Sequence, residues 1–224
     1  MNGSKEEQRS LKKTSEDDFD SPDAENFTGA WLELLTDPVL KDGPLKDLPF
    51  FSTAFGAIRA FNSFSDYLLM RKLERFRSQL KNKNIPEPER QAFVNRYQTD
   101  EAYRERVGLN LLLKIEKHND LKKSEMVGRI FHAQIVGEID DHEFDALVAA
   151  VEKLDIHHIP ALRECYKKEN FYSGGNDIPI QSLTIAGLIS IYSGADAVFG
   201  HNDLGRLFLK IALEETPSAD SDPE

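Results

Sequence analysis

The chain has 224 residues, a formal net charge of -11, 40% hydrophobic and 30% charged residues. That balance suits a soluble, helix-rich protein with one large core or two small ones, and it excludes the membrane-embedded and disulfide-stapled classes. Cys165 is the only cysteine, so no intramolecular disulfide can form and a reducing compartment is expected.

Residues 1–26 carry eight acids against four bases and no apolar run of the kind a signal peptide needs. With so little apolar surface to offset ordering entropy, they read as a disordered acidic tail. Phe27 to Thr36 then reads as a short helix bearing Trp31, and Asp37 to Asp47 as a turn-rich link with Pro38, Gly43 and Pro44.

Leu48 to Ile58 carries no charge, whereas Arg59 to Lys83 holds seven bases against Asp66 and Glu74. Phe51, Phe55, Ile58, Phe61, Leu69, Leu73, Phe76 and Leu80 recur at helical spacing, which predicts a long amphipathic helix over 48–83 with a break near Asn62-Ser63. Its low-charge part contains Arg59 and several polar residues, and so falls short of a membrane span. A basic face inside an acidic protein needs an acidic neighbour, an acidic partner or an anionic surface. Phe50, Phe51, Phe55, Arg59, Arg71, Lys72, Arg75 and Arg77 are therefore the candidate partner- or membrane-binding residues.

Pro86 and Pro88 stop that helix and start the next, in which Ala92, Phe93 and Tyr97 face inward. Asp100 reads as a cap. The stripe Tyr103, Val107, Leu111, Ile115 then marks a helix that ends at Asn119-Asp120. Lys122 to Val136 is the next helix, closed by Gly137, and Asp140 or Asp141 caps another with Phe144, Leu147, Val148, Val151 and Leu154 inward. A short helix follows over 156–168. Asn170 to Pro179 reads as a loop, Ile180 to Leu188 as an apolar helix, and Ile189 to Tyr192 with Ala197 to Phe199 as a β-hairpin. Asn202-Asp203 caps a last helix containing Leu204, Leu207, Phe208, Ile211 and Leu213. Residues 215–224 form a second disordered acidic tail.

Lys123-Ser124-Glu125-Met126 through Gly137-Glu138-Ile139-Asp140-Asp141-His142-Glu143-Phe144 resembles the helix–turn–helix of TerB-like tellurite-resistance domains, where a "DG-E-I" turn rich in acids separates two helices. In that family the acids of the turn can bind a metal. Val136 stands here where an acid is expected, which leaves Glu138, Asp141 and His142 as the weak metal candidates. Leu183-Thr184-Ile185-Ala186-Gly187-Leu188-Ile189, the hairpin, and Asn202-Asp203-Leu204-Gly205-Arg206-Leu207-Phe208 resemble the ending of winged-helix-like modules. The whole order is similar to uncharacterised bacterial all-α proteins with these two parts, a resemblance that implies an architecture and no activity.

The bland readings of the other chemistry are the stronger ones. His157 and His158 are adjacent, about 100° apart on a helix, and cannot chelate one ion from one face. His132, among Ile130, Phe131 and Ile135, reads as a partly buried histidine with a backbone partner. Cys165 has no glycine-rich turn beside it to build an oxyanion hole, and no P-loop, dinucleotide or G-x-S-x-G pattern occurs. The apolar helix 180–188 and the hairpin 190–200 contain no Lys or Arg, which argues against nucleic acid.

The fold expected is thus mostly α: a helical bundle with a TerB-like core over 27–168 and a small winged-helix-like module with a β-hairpin over 169–214. The expected function is that of a bacterial cytoplasmic binding or regulatory protein, without catalysis or cofactor, acting through contacts with a protein partner. Peripheral binding to the inner membrane through helix 48–83 is part of that expectation. A winged-helix nucleic-acid-binding regulator and a metal-binding stress-response protein are the alternatives.

Overall fold

The computed structural model describes residues 64–81, 83–167, 170–172, 177–192 and 198–215. The expected Trp31 helix, the Asn62-Ser63 break, the hairpin turn, the N-terminal tail, the C-terminal tail beyond Glu215, and the candidates Phe50, Phe51, Phe55 and Arg59 lie outside the described residues. Helix α1 (Phe64–Lys81) buries Met70, Leu73, Phe76 and Leu80. Pro86 is the N-cap of α2 (Glu87–Thr99) and Pro88 sits in its first turn, where a missing N–H costs nothing. Phe93, Val94 and Tyr97 are the buried side of α2, and Ala92, expected inward, is exposed. At 100° per residue Ala92 lies about 150° from the centre of that side.

Asp100 caps α3 (Glu101–Glu105), its carboxylate accepting from the Tyr103 backbone N–H at 2.9 Å. A π-helical turn, Arg106–Asn110, leads into α4 (Leu111–Lys117). Tyr103, Val107, Leu111 and Ile115 are all buried. A strict spacing of four drifts by about 40° per step on an ideal α-helix. The wider π turn takes back part of that drift and keeps all four on one side.

Helix α5 (Leu121–Ile135) is capped by Asp120 and ends in a Schellman turn at Gly137, with φ +74, where Glu138 N–H donates to the Ala133 carbonyl. Asp140 and Glu143 form a reciprocal capping box at the start of α6 (Asp141–Lys153), which buries Phe144, Leu147, Val148 and Val151. A 3-10 turn (Ile156–His158) precedes α7 (Ile159–Tyr166). Strand β1 (Asn170–Tyr172), helix α8 (Ile178–Ile185), strands β2 (Ser190–Tyr192) and β3 (Val198–Gly200), and helix α9 (Asp203–Ala212) complete the order.

Among the described residues the fold is mostly α, with one small antiparallel sheet near the C-terminal end in the order β1-β3-β2. Strand β1 corrects the loop expected over 170–179. Three residues are too few to show alternation, and the strand exists by pairing Phe171 with Phe199.

Ten of the fifteen residues of α5 are buried, because α1, α2, α4, α6 and α9 all pack against it. Phe131 of α5 meets Phe76, Phe93 and Phe144 at ring-centroid distances of 5.6, 5.6 and 6.2 Å, one ring from each of α1, α2 and α6. Gly128 lets α1 approach: a Cβ there would lie 2.5 Å from the Phe76 carbonyl oxygen.

Helix α9 forms as expected, capped by Asn202. Its buried side is Gly205, Phe208, Leu209, Ile211 and Ala212. Leu204, Leu207 and Leu213 are only half-buried. The contact line runs over Gly205, which carries no side chain, and this leaves Leu204 and Leu207 on its shoulder.

Candidate functional site

The basic face of α1 is largely spoken for. Arg71 pairs with Glu74 at 3.2 Å within the helix, and Arg75 reaches Glu125 of α5 at 3.0 Å. Lys72 Nζ donates to the Glu116 carbonyl of α4 at 2.6 Å, and burial lowers its pKa. Arg77 is 9% exposed, which corrects its place on the outer face. It lies four residues after Leu73 and seven after Met70, so the helix turns it to the apolar side.

The acid-rich turn does not gather its three metal candidates. Asp141 is taken by cations: its carboxylate accepts from Arg96, from Arg106 at 2.6 Å and from Gln134 Nε2 at 3.0 Å. The hydrogen bond from Arg96 is the main reason its pKa falls to about 2. Arg96 also lies 3.9 Å from the centroid of the Tyr103 ring, and burial pushes that phenol up to about 12. Glu138 and His142 line two different clefts. Among the described residues, no group of three or more His, Cys, Asp or Glu side chains is placed to hold an ion. The Asp141 cluster ties α2, the π turn and α5 to the start of α6, and its role is structural.

Asp141→Asn is expected to lower stability by about 1 kcal/mol at pH 6, after discounting a partly solvated pair. A depressed carboxyl pKa stabilises fully above the ordinary value of 3.8 and loses that contribution as pH falls through about 2. Thermal denaturation of the two proteins should differ at pH 6 and converge at pH 2. An equal gap at both would show that the charge of Asp141 contributes nothing.

Two histidines are buried. His118, which the sequence pattern did not single out, follows α4, is 3% exposed and has no hydrogen-bond partner on either ring nitrogen. Burial, then Lys123, Lys72 and Lys114, lower its pKa to about 4, so it stays neutral. His132 bonds to the backbone of Asn84, as expected of a histidine in that setting, and its Nε2 is unpartnered. Of the His157-His158 pair, the His157 backbone N–H donates to the capping carboxylate of Asp155 at 2.9 Å.

From Ile178 to Tyr192 there is no charged residue, and Ile178, Ile185 and Ile191 are 70%, 69% and 55% exposed. Such a surface offers no cation to a phosphate backbone.

An open concavity lies between α6 and α9. This open cleft of about 700 Å³ is lined by His142, Glu143 and Ala146 on α6 and by Asp203, Leu204, Arg206, Leu207 and Lys210 on α9. Leu204 and Leu207, one helical turn apart, form an apolar strip within it, and Arg206 and Lys210 bring positive charge. Glu143 is already engaged through its bond to the Asp140 backbone N–H. Lys210 also lines a second cleft of about 320 Å³ with Lys83, Asn84, Arg129, His132, Ala133, Glu138 and Ile211. The two concavities therefore adjoin along α9. None of these residues was among the sequence candidates for partner binding. The available signal was the apolar set Leu204, Leu207, Phe208, Ile211, wider than one buried side can use.

No family model, curated protein or solved structure matches this chain. The chemistry of the groove is therefore the ground for a functional reading. Among the described residues, no helix is long and apolar enough to cross a membrane.

Proposed function

We propose that this chain is a non-catalytic bacterial binding or regulatory protein whose partner presents an acidic amphipathic helix to the groove between α6 and α9. The observation that carries the reading is the pair of half-buried leucines, Leu204 and Leu207, flanked by Arg206 and Lys210 in an open cleft. Helix-in-groove recognition uses such a strip: apolar anchors enter the groove and charges at its rim choose the partner.

The groove replaces the α1 face as the proposed contact surface. There Arg71, Lys72 and Arg75 already have partners within the chain and Arg77 is buried. The same pairing weakens the case for an anionic membrane, which needs uncommitted cations near the lipid. A cytoplasmic location, the TerB-like core and the winged-helix-like ending belong to this proposal. The Gly137 turn, the Asp140–Glu143 capping box and the β2–β3 pairing support that architecture.

Two synthetic helices of about 20 residues with one leucine stripe test it, one with a glutamate polar face and one with lysine. In fluorescence anisotropy the acidic helix should bind, more weakly as salt rises. Leu207→Glu and Lys210→Glu should each reduce its affinity about tenfold or more. Equal binding of both helices, or affinity indifferent to both substitutions, would rule the groove out.

A further inference from the structure

We infer that the smaller cleft, beside the end of α9, is a binding site for a tetrahedral dianion, free phosphate or a phosphate ester, and that the carboxylate of Glu214, paired with two of its lining cations, acts as an internal stand-in. Glu214 lies two residues past α9, accepts from Lys83 at 2.7 Å and forms an ion pair with Arg129 at 3.4 Å, while Arg129 donates to Gln79 and to the Ala212 carbonyl, and both cations line the cleft. The bond from Lys83 is the main reason its pKa lies below the usual range. Its backbone is held at φ +57, the left-handed region that residues other than glycine and asparagine rarely enter. The chain turns sharply there, and Glu215 is then fixed by Arg163 at 2.5 Å.

One carboxylate does not engage all the polar groups present. Lys210 lines the same cleft, and the ammonium of Lys210 is not among the partners of Glu214. His132 also lines it, is 8% exposed, and has an Nε2 without a hydrogen-bond partner. Once Glu214 swings aside, three cations face the single acid Glu138, a balance that a dianion closes. A tetrahedral ion also offers more oxygens to converging donors than a carboxylate does.

The charged groups around His132 come from every neighbouring element: Lys83 after α1, Arg129 on α5, Glu138 after α5, Lys210 on α9 and Glu214 beyond it. Burial, then Lys83, keep its ring neutral near pH 7, with Nε2 carrying a lone pair. An anion seated against Nε2 draws a proton onto it, so affinity rises as pH falls. This site shares Lys210 with the groove but does not rest on helix docking, since it needs only the cleft and a small ion.

The test is nuclear magnetic resonance titration of the full chain with sulfate, a dianion that does not titrate in this range, against sodium chloride at equal ionic strength. Saturable shifts at the amides of Asn84, His132 and Lys210 are expected. Affinity should be about tenfold tighter in Glu214→Gln than in the native chain, because the internal competitor loses its charge. It should be tighter at pH 6 than at pH 8 and should fall when Lys210→Met is added, a change at an exposed residue. Inorganic phosphate and phosphoserine should produce the same pattern of shifts, the tighter of the two naming free ion or ester as the source. Shifts reproduced by chloride, equal affinity in Glu214→Gln and the native chain, or equal affinity at both pH values would overturn the site. The native chain carries the pH and chloride comparisons if the variant fails to fold.

Discussion

Phe131→Ala is expected to cost about 4 kcal/mol of stability, the upper part of the range for deleting a buried aromatic ring. Phe131 is 0% exposed on the central helix, and three rings from three different helices close on it within 6.2 Å. No neighbour can collapse into the space without leaving its own contact, because Phe76, Phe93 and Phe144 are held on α1, α2 and α6. The cavity would therefore persist, and its walls would lose dispersion contacts as well as burial. For a chain of this size the melting temperature should fall by roughly 8–16 °C. Leu113→Ala, at a residue 43% exposed on α4, should change it by less than about 2 °C. Urea denaturation of both variants measures this, and similar midpoints would show that the aromatic cluster is not the centre of the core.

Gly205→Ala is expected to cost about 3 kcal/mol through overpacking, at the upper end for one added methyl group. A Cβ at Gly205 would sit 1.8 Å from Tyr166 Oη and 2.2 Å from the Leu188 carbonyl oxygen. Neither can yield cheaply. Tyr166 donates to the Leu188 carbonyl at 2.6 Å, its hydroxyl accepts from the Asn202 backbone N–H at 3.2 Å, and its ring stacks on His201. Burial pushes the Tyr166 phenol up to about 12, so it stays a donor at every pH of interest. Displacing it would strand a buried carbonyl and a buried hydroxyl together. Gly137→Ala gives the contrast. Nothing lies within 4 Å of its Cβ, so only the left-handed backbone opposes it, at about 1 kcal/mol. Calorimetry should show Gly205→Ala melting well below Gly137→Ala, and the reverse order would mean that the Tyr166 contact is slack.

These two positions show what the sequence could and could not reveal. Local signals were legible. Asp100, Asp120, Asp140 and Asn202 cap helices because short polar side chains reach the first free N–H groups, and Gly137 ends α5 because it tolerates positive φ. The stripe from Tyr103 to Ile115 identified one buried side correctly, although not the π turn that keeps it aligned. What failed was every feature set by a distant partner. Arg75 looked like a free cation until Glu125, fifty residues on, was placed beside it. Asp141, only a weak metal candidate by sequence, is held by Arg96 and Arg106. Strand β1 exists only through β3. Leu204 and Leu207 carry the periodicity of core residues, and only the approach of Tyr166 at Gly205 turns the helix so that they face the groove. The site was hidden for that reason: its leucines are indistinguishable in pattern from buried ones.

The most direct test of the account is to map the bound acidic amphipathic helix on the isotopically labelled chain by amide chemical shifts. The groove predicts perturbations concentrated on His142 to Ala146 and Asp203 to Lys210, with the Arg71 to Arg77 segment of α1 unaffected. Perturbations that instead follow Arg71, Lys72 and Arg75, sparing Leu204 and Leu207, would contradict it and return the contact surface to the basic helix.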